Sequence, residues 1–289
     1  MKKVIAEFIG TCAFSFIGCS AIVLLNYMGV KNSEAVLPVA LTFGLALAGI
    51  YYAFGSISGA HLNPAVSLAS YLSGSKDFTA GDLLLYMLAQ ISGALVGICI
   101  LAFVIMQCDM GGVASVGLGA NYYGSGGISI NIIGTAVVEV LLTFIFVLVF
   151  LNASNSGNTK CNAGFVIGAT FAGCYSISFL LTGGSLNPAR SLAPALVMFG
   201  FGSTKAVEQV LVFVIAPLIA AAFSALVYTL LSGKGQKVEI VAPELPKKEE
   251  PAPKPTSVKK SATKAKPTTP SRSEKADEKP KRKGFFSGE

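Results

Sequence analysis

Residues 58 to 69 read SGAHLNPAVSLA and residues 182 to 193 read TGGSLNPARSLA, so Gly, Leu, Asn, Pro, Ala, Ser, Leu and Ala recur at eight of twelve offsets. Asn is a preferred N-cap and Pro a preferred first helical residue, so Asn63-Pro64-Ala65 and Asn187-Pro188-Ala189 each read as the mouth of a helix. Both lie inside long apolar regions, where no helix should need to start. The runs Asn63 to Ser73 and Asn187 to Phe199 would each cross roughly half of a ~30 Å hydrocarbon core at ~1.5 Å per residue. Two half-helices are expected. Each Asn oxygen would cap its own half-helix and leave NH₂ donors pointing outward, backed by the positive end of a helix dipole. Meeting near a membrane centre, the two ends would face a narrow path.

The composition supplies the membrane. Of 289 residues, 53% are hydrophobic and the mean hydropathy is +0.65, far too apolar for a soluble domain of this size. No charged residue occurs between Glu34 and Lys76, and only Asp109 interrupts the stretch from Leu83 to Val138. Spans are expected at about 4–25, 36–54, 82–107, 131–151, 163–181 and 205–232, with the half-helices after the second and fifth. Six cysteines without a CxxC spacing and a single histidine, His61, point to no metal, cofactor or disulfide framework. They also leave little acid–base chemistry for an enzyme.

The chain is therefore an all-α polytopic membrane protein written twice: span, span, half-helix, span. AEFIGT at 6–11 and VEVLLT at 138–143 repeat the plan by placing Glu7 and Thr11, then Glu139 and Thr143, near the start of each half. Three spans per half make the second copy insert upside down, an inverted repeat used by transporters. The expected channel domain is 1–232, with halves at about 1–107 and 131–232 joined by 108–130. Two membrane-embedded carboxylates need partners, and the backbone N–H groups of the loops before the half-helices would serve. An ion-coupled carrier shares this architecture, but the midplane here offers neutral amides instead of titratable or ion-coordinating groups.

Lys2, Lys3, Lys76 and Lys160 fall on the side of the termini, against Lys31 and Lys205 opposite, so both termini are expected in the cytoplasm. The glycine-rich segment from Asp109 to Ser129 reads as an external connector covering the mouth, with a pore vestibule as the alternative. Seven basic residues balance seven acidic ones through Ser232, so the whole net charge of +7 belongs to 233–289. That tail holds eight of the thirteen prolines and is expected to be disordered, Lys/Pro-rich and cytoplasmic. Its end, KRKGFFSGE, suggests at most a weak contact with anionic lipid. No nucleic-acid partner is expected.

With the twin Asn-Pro-Ala motifs, the Glu pair and the inverted halves in place, residues 1 to 232 resemble the aquaporin family, also called the major intrinsic proteins. The resemblance implies a passive channel in a cell membrane, with six tilted helices, two half-helices and a homotetramer whose protomers each carry a pore. It implies a constriction of Phe43, Tyr175, Gly184 and Arg190, with His61 also lining the pore and Glu7 and Glu139 supporting it. Tyr175 stands where water-selective members commonly have His, a departure from their pattern. Ser191 and Ala195 stand where glycerol-conducting relatives have Asp and a basic residue. Water is the expected permeant, with glycerol or another small neutral solute as the alternative.

Overall fold

The computed structural model describes residues 1–75, 78–155 and 162–232, and the tail expectation for 233–289 falls outside them. The described residues form helices α1 (Lys2–Tyr27), α2 (Asn32–Ser58), α3 (Pro64–Leu72), α4 (Ala80–Met106) and the single turn α5 (Val113–Val116). They continue with α6 (Ile132–Asn155), α7 (Ala163–Thr182), α8 (Pro188–Gly200) and α9 (Lys205–Leu231). Six of these, α1, α2, α4, α6, α7 and α9, are long and apolar enough to cross a membrane. Their outward faces carry Leu45, Leu84, Leu141 and Leu211, while Glu7, Gln90, Glu139 and Arg190 are buried inside. This is the inverse of a water-soluble bundle and fits a hydrocarbon surround.

The two halves pack alike. α1 lies on α2 and α4 as α6 lies on α7 and α9, and α2 meets α7 where the halves join. Each half-helix touches the last span of both halves: α3 lies on α4 and α9, and α8 on α9 and α4. Small residues permit this closeness, since a Cβ at Gly93 or Gly97 of α4 would collide with the carbonyls of Phe8 and Cys12 on α1.

The spans agree with expectation except at their ends. α2 runs from Asn32 to Ser58, longer than 36–54, and α6 continues past 151 to Asn155. The polar end of α6 satisfies its side chains within the helix, where Asn152 Nδ2, Ser154 Oγ and Asn155 Nδ2 donate to carbonyls four residues back, at 2.8, 2.7 and 2.7 Å. The Glu–Thr repeat is only half symmetric. Thr11 Oγ1 donates to the Glu7 carbonyl at 2.7 Å, whereas Thr143 Oγ1 is buried without a partner among the described residues.

The connector between the halves is tied down at several points. Asn32 Nδ2 donates to Ser125 O at 3.2 Å, Ser125 Oγ to Thr182 O at 3.0 Å, and Tyr123 N to Gln209 Oε1 at 3.0 Å. Ile128 N reaches Leu180 O at 3.3 Å, and Lys205 Nζ sits 4.1 Å above the Tyr122 ring. Helices from both halves therefore hold this loop in place over the end of α7.

Candidate functional site

Each half-helix is reached through the same turn. α2 and α7 end on Gly59 and Gly183 in the left-handed region, at φ 88° and 80°, a conformation open to Gly at little cost. Three residues later Leu62 and Leu186 are also left-handed, at φ 53° and 59°, which costs a branched residue about 1–2 kcal/mol. The strain turns each Leu N–H towards a buried carboxylate and each Leu C=O towards the other half. Asn63 and Asn187 follow as extended N-caps, with Pro64 and Pro188 opening α3 and α8.

The carboxylates hold these turns from behind. Glu7 Oε1 accepts from His61 N at 3.0 Å and Ser58 Oγ at 2.6 Å, and Oε2 from Leu62 N and Gln90 Nε2 at 2.7 and 2.8 Å. Glu139 Oε2 accepts from Leu186 N at 2.9 Å, and Oε1 from Ser178 Oγ and Thr182 Oγ1 at 2.7 and 2.8 Å. Both carboxylates thus meet backbone N–H groups of the loops before the half-helices. A second pair of contacts braces residues 61 and 185: His61 Nδ1 lies 3.1 Å from Ser67 Oγ, and Ser185 Oγ 2.6 Å from Ser191 Oγ.

The two Asn residues are less free than capping alone suggests. Asn63 Oδ1 accepts from Ala65 N at 2.9 Å, and Asn187 Oδ1 from Ala189 N at 3.0 Å and Arg190 N at 3.4 Å, as N-caps should. One N–H of each NH₂ group, however, crosses to the other half: Asn63 Nδ2 to Leu186 O at 2.8 Å and Asn187 Nδ2 to Leu62 O at 2.9 Å. An amide carries two such donors, so one per Asn remains beyond this junction. Each amide thus has one donor taken by a left-handed Leu carbonyl of the other half and one to spare.

The four constriction candidates come from α2, α7, α8 and the turn before α8, and they converge. The Phe43 and Tyr175 rings are 4.5 Å apart, and Arg190 Cζ stands 5.3 Å from the Phe43 centroid. Tyr175 OH accepts from Arg190 Nη2 at 2.9 Å and Nε at 3.3 Å. Gly184, at φ 77°, leaves room for the Tyr175 ring, which an added Cβ would strike. Phe43, Tyr175 and Arg190 are each 0% exposed, so in this conformation the four close on one another without a water-sized gap beside those three. Among the described residues no carboxylate contacts the guanidinium. Its hydrogen-bond partners are neutral oxygens and its other neighbours ring faces, while Glu139 acts on it only through space.

His61 is buried and stands apart from this cluster, edge-on to Phe78, Tyr86 and Phe150, and it lines a small cavity with Tyr51, Ser70 and Asn155. Sequence reasoning missed Gln90, Ser58, Ser178 and Thr182 around the carboxylates, and Asn121, whose Oδ1 accepts from Arg190 Nη1 at 3.3 Å. Gln90 carried a signal, a polar side chain in an uncharged apolar run. Asn121 carried none, since nothing in a glycine-rich loop says where it lands.

Known proteins are similar to this chain in sequence and fold. A family model described as Major intrinsic protein matches residues 1–228. The chain is 36% identical over 230 residues to glycerol uptake facilitator protein-like 6 of Lactiplantibacillus plantarum, a match covering 78% of this chain and 95% of that one. It is 34% identical over 234 residues to aquaporin Z of Bradyrhizobium diazoefficiens, covering 80% and 94%. The crystal structure of the aquaglyceroporin from Plasmodium falciparum superposes with a TM-score of 0.67 at 22% identity, covering 80% of this chain and 96% of that one, and so supports the fold alone.

Proposed function

The chain belongs to the major intrinsic protein family, and from that premise we propose that it is a passive water channel that excludes ions and protons. The permeant would pass between Asn63 and Asn187 and through the constriction of Phe43, Tyr175, Gly184 and Arg190. The observation that carries this reading is the closeness of that constriction. Tyr175 bonds to Arg190 and presses on Phe43 and Gly184, so a small displacement of its hydroxyl opens a gap for water before it opens one for a polyol.

Exclusion follows from charge. A cation would meet Arg190, which no carboxylate contacts among the described residues, and then the positive ends of α3 and α8, in a surround where repulsion is stronger than in bulk water. The remaining N–H of each Asn would bind the oxygen of a central water and turn its hydrogens outward. Waters on either side then cannot relay a proton in one direction.

A second reading, a facilitator of glycerol or another small neutral solute, is favoured by the Phe43 and Tyr175 rings lying beside Arg190. Together they give a carbon backbone an apolar face and its hydroxyls a donor. Relatives are named for both permeants. The proposed assembly is a homotetramer in a cell membrane with both termini cytoplasmic, a 1–232 channel domain and a 233–289 tail dispensable for conduction.

The test is osmotic. Vesicles holding the protein should shrink faster than empty ones under an impermeant osmolyte, with no ion gradient, and a glycerol gradient run in parallel separates the two permeants. Flux that depends on a sodium or proton gradient would make the protein a carrier.

A further inference from the structure

We infer that Asn121, in the connector between the halves, is a positioning residue for the constriction, holding Arg190 in place through the guanidinium nitrogen that Tyr175 does not bind. The inference rests on the channel reading above. Arg190 is gripped at two ends: Nε and Nη2 donate to Tyr175 OH, and Nη1 donates to Asn121 Oδ1 at 3.3 Å. Without the second grip, the guanidinium would pivot about a single hydroxyl.

Three observations set Asn121 apart from a side chain that merely fills a loop. It is 2% exposed, and its Nδ2 has no partner among the described residues, so the contact to Arg190 is its one side-chain hydrogen bond there. An apolar side chain of the same size would avoid a buried unpaired donor, and what Asn adds over it is the acceptor. The loop is also anchored, through Ser125 to Thr182 and Asn32 and through Tyr123 to Gln209. Finally, Asn121 Cα and Cβ flank Gly183, next to Gly184 of the constriction. The loop is thereby a working wall of the aperture, and the position of Arg190 depends on both halves and on the segment joining them.

A hydrogen bond from a charged donor biases the held rotamer by about tenfold. Asn121→Ala should therefore let Arg190 swing and raise the glycerol-to-water permeability ratio of full-length protein in vesicles by roughly threefold to tenfold. Asn121→Asp keeps the acceptor and should stay within about twofold of wild type. In an Arg190→Val background, Asn121→Ala should add less than about twofold, because the residue it positions is gone. If Asn121→Ala fails to insert, Asn121→Leu, which fills the space without an acceptor, replaces it with the same expectation. An unmoved ratio in the acceptor-less variant, an equal shift in Asn121→Asp, or a full shift without Arg190 would overturn the inference. A wild type that conducts neither water nor glycerol would instead sink the channel reading.

Discussion

Asn63 and Asn187 each donate to the carbonyl that precedes the other: Asn63 Nδ2 to Leu186 O at 2.8 Å, and Asn187 Nδ2 to Leu62 O at 2.9 Å. Both are 2% exposed, and the pair joins the two half-helices end to end. Replacing either by Ala removes an N-cap, about 0.5–2 kcal/mol, and strands a buried carbonyl, about 1–3 kcal/mol. Thermal unfolding in detergent should show each single variant destabilised and the double variant less so than the sum, since the two bonds share one junction. Additive losses would mean that the crossed bonds act independently.

The two buried carboxylates should respond unequally to Gln. At Glu7 each oxygen faces one fixed backbone N–H, from His61 and from Leu62, so either orientation of an amide sets NH₂ against a donor. At Glu139 one oxygen faces only the hydroxyls of Ser178 and Thr182, which can rotate to accept. Glu7→Gln should cost about 1–3 kcal/mol more than Glu139→Gln in equilibrium unfolding. Equal losses would show that the hydroxyls do not adapt.

Tyr175→Phe keeps the ring against Phe43 and removes the oxygen that receives two Arg190 N–H groups. Water permeability measured by stopped-flow light scattering should rise severalfold, because the bond closing the aperture is lost. A fall would mean that the hydroxyl helps conduct water and does not obstruct it.

Gly184→Ala should lower water permeability sharply. Its φ of 77° costs an Ala about 1 kcal/mol, and the new methyl would strike the Tyr175 ring and drive it further into the aperture. Combining it with Tyr175→Ala should restore flux, whereas a double variant that stays closed would place the obstruction elsewhere.

Arg190→Val should mainly admit larger neutral solutes, with proton leak limited by the intact Asn63–Asn187 junction. Adding Tyr175→Ala should leak more. A pH-sensitive dye inside the vesicles reads this directly, and a wild type that dissipates a pH gradient as fast as it passes water would contradict the central barrier.

Much of this molecule was legible in its residues because the signals were local. Asn-Pro at an N-cap and uncharged apolar runs long enough to cross a bilayer both state their conformation without reference to distant contacts. Repetition then supplied the inverted plan, and intramembrane charge marked Glu7, Glu139 and Arg190, since such groups are costly unless partnered or used. Tertiary structure alone decided the partners. Gln90 reaches Glu7 across 83 positions, Asn187 reaches Leu62 across 125, and Asn121 meets Arg190 from a loop whose composition says nothing of direction. That Tyr175 closes on Arg190 likewise depends on where α7 and α8 are held, because a hydrogen bond needs a position and a direction that spacing along the chain does not carry.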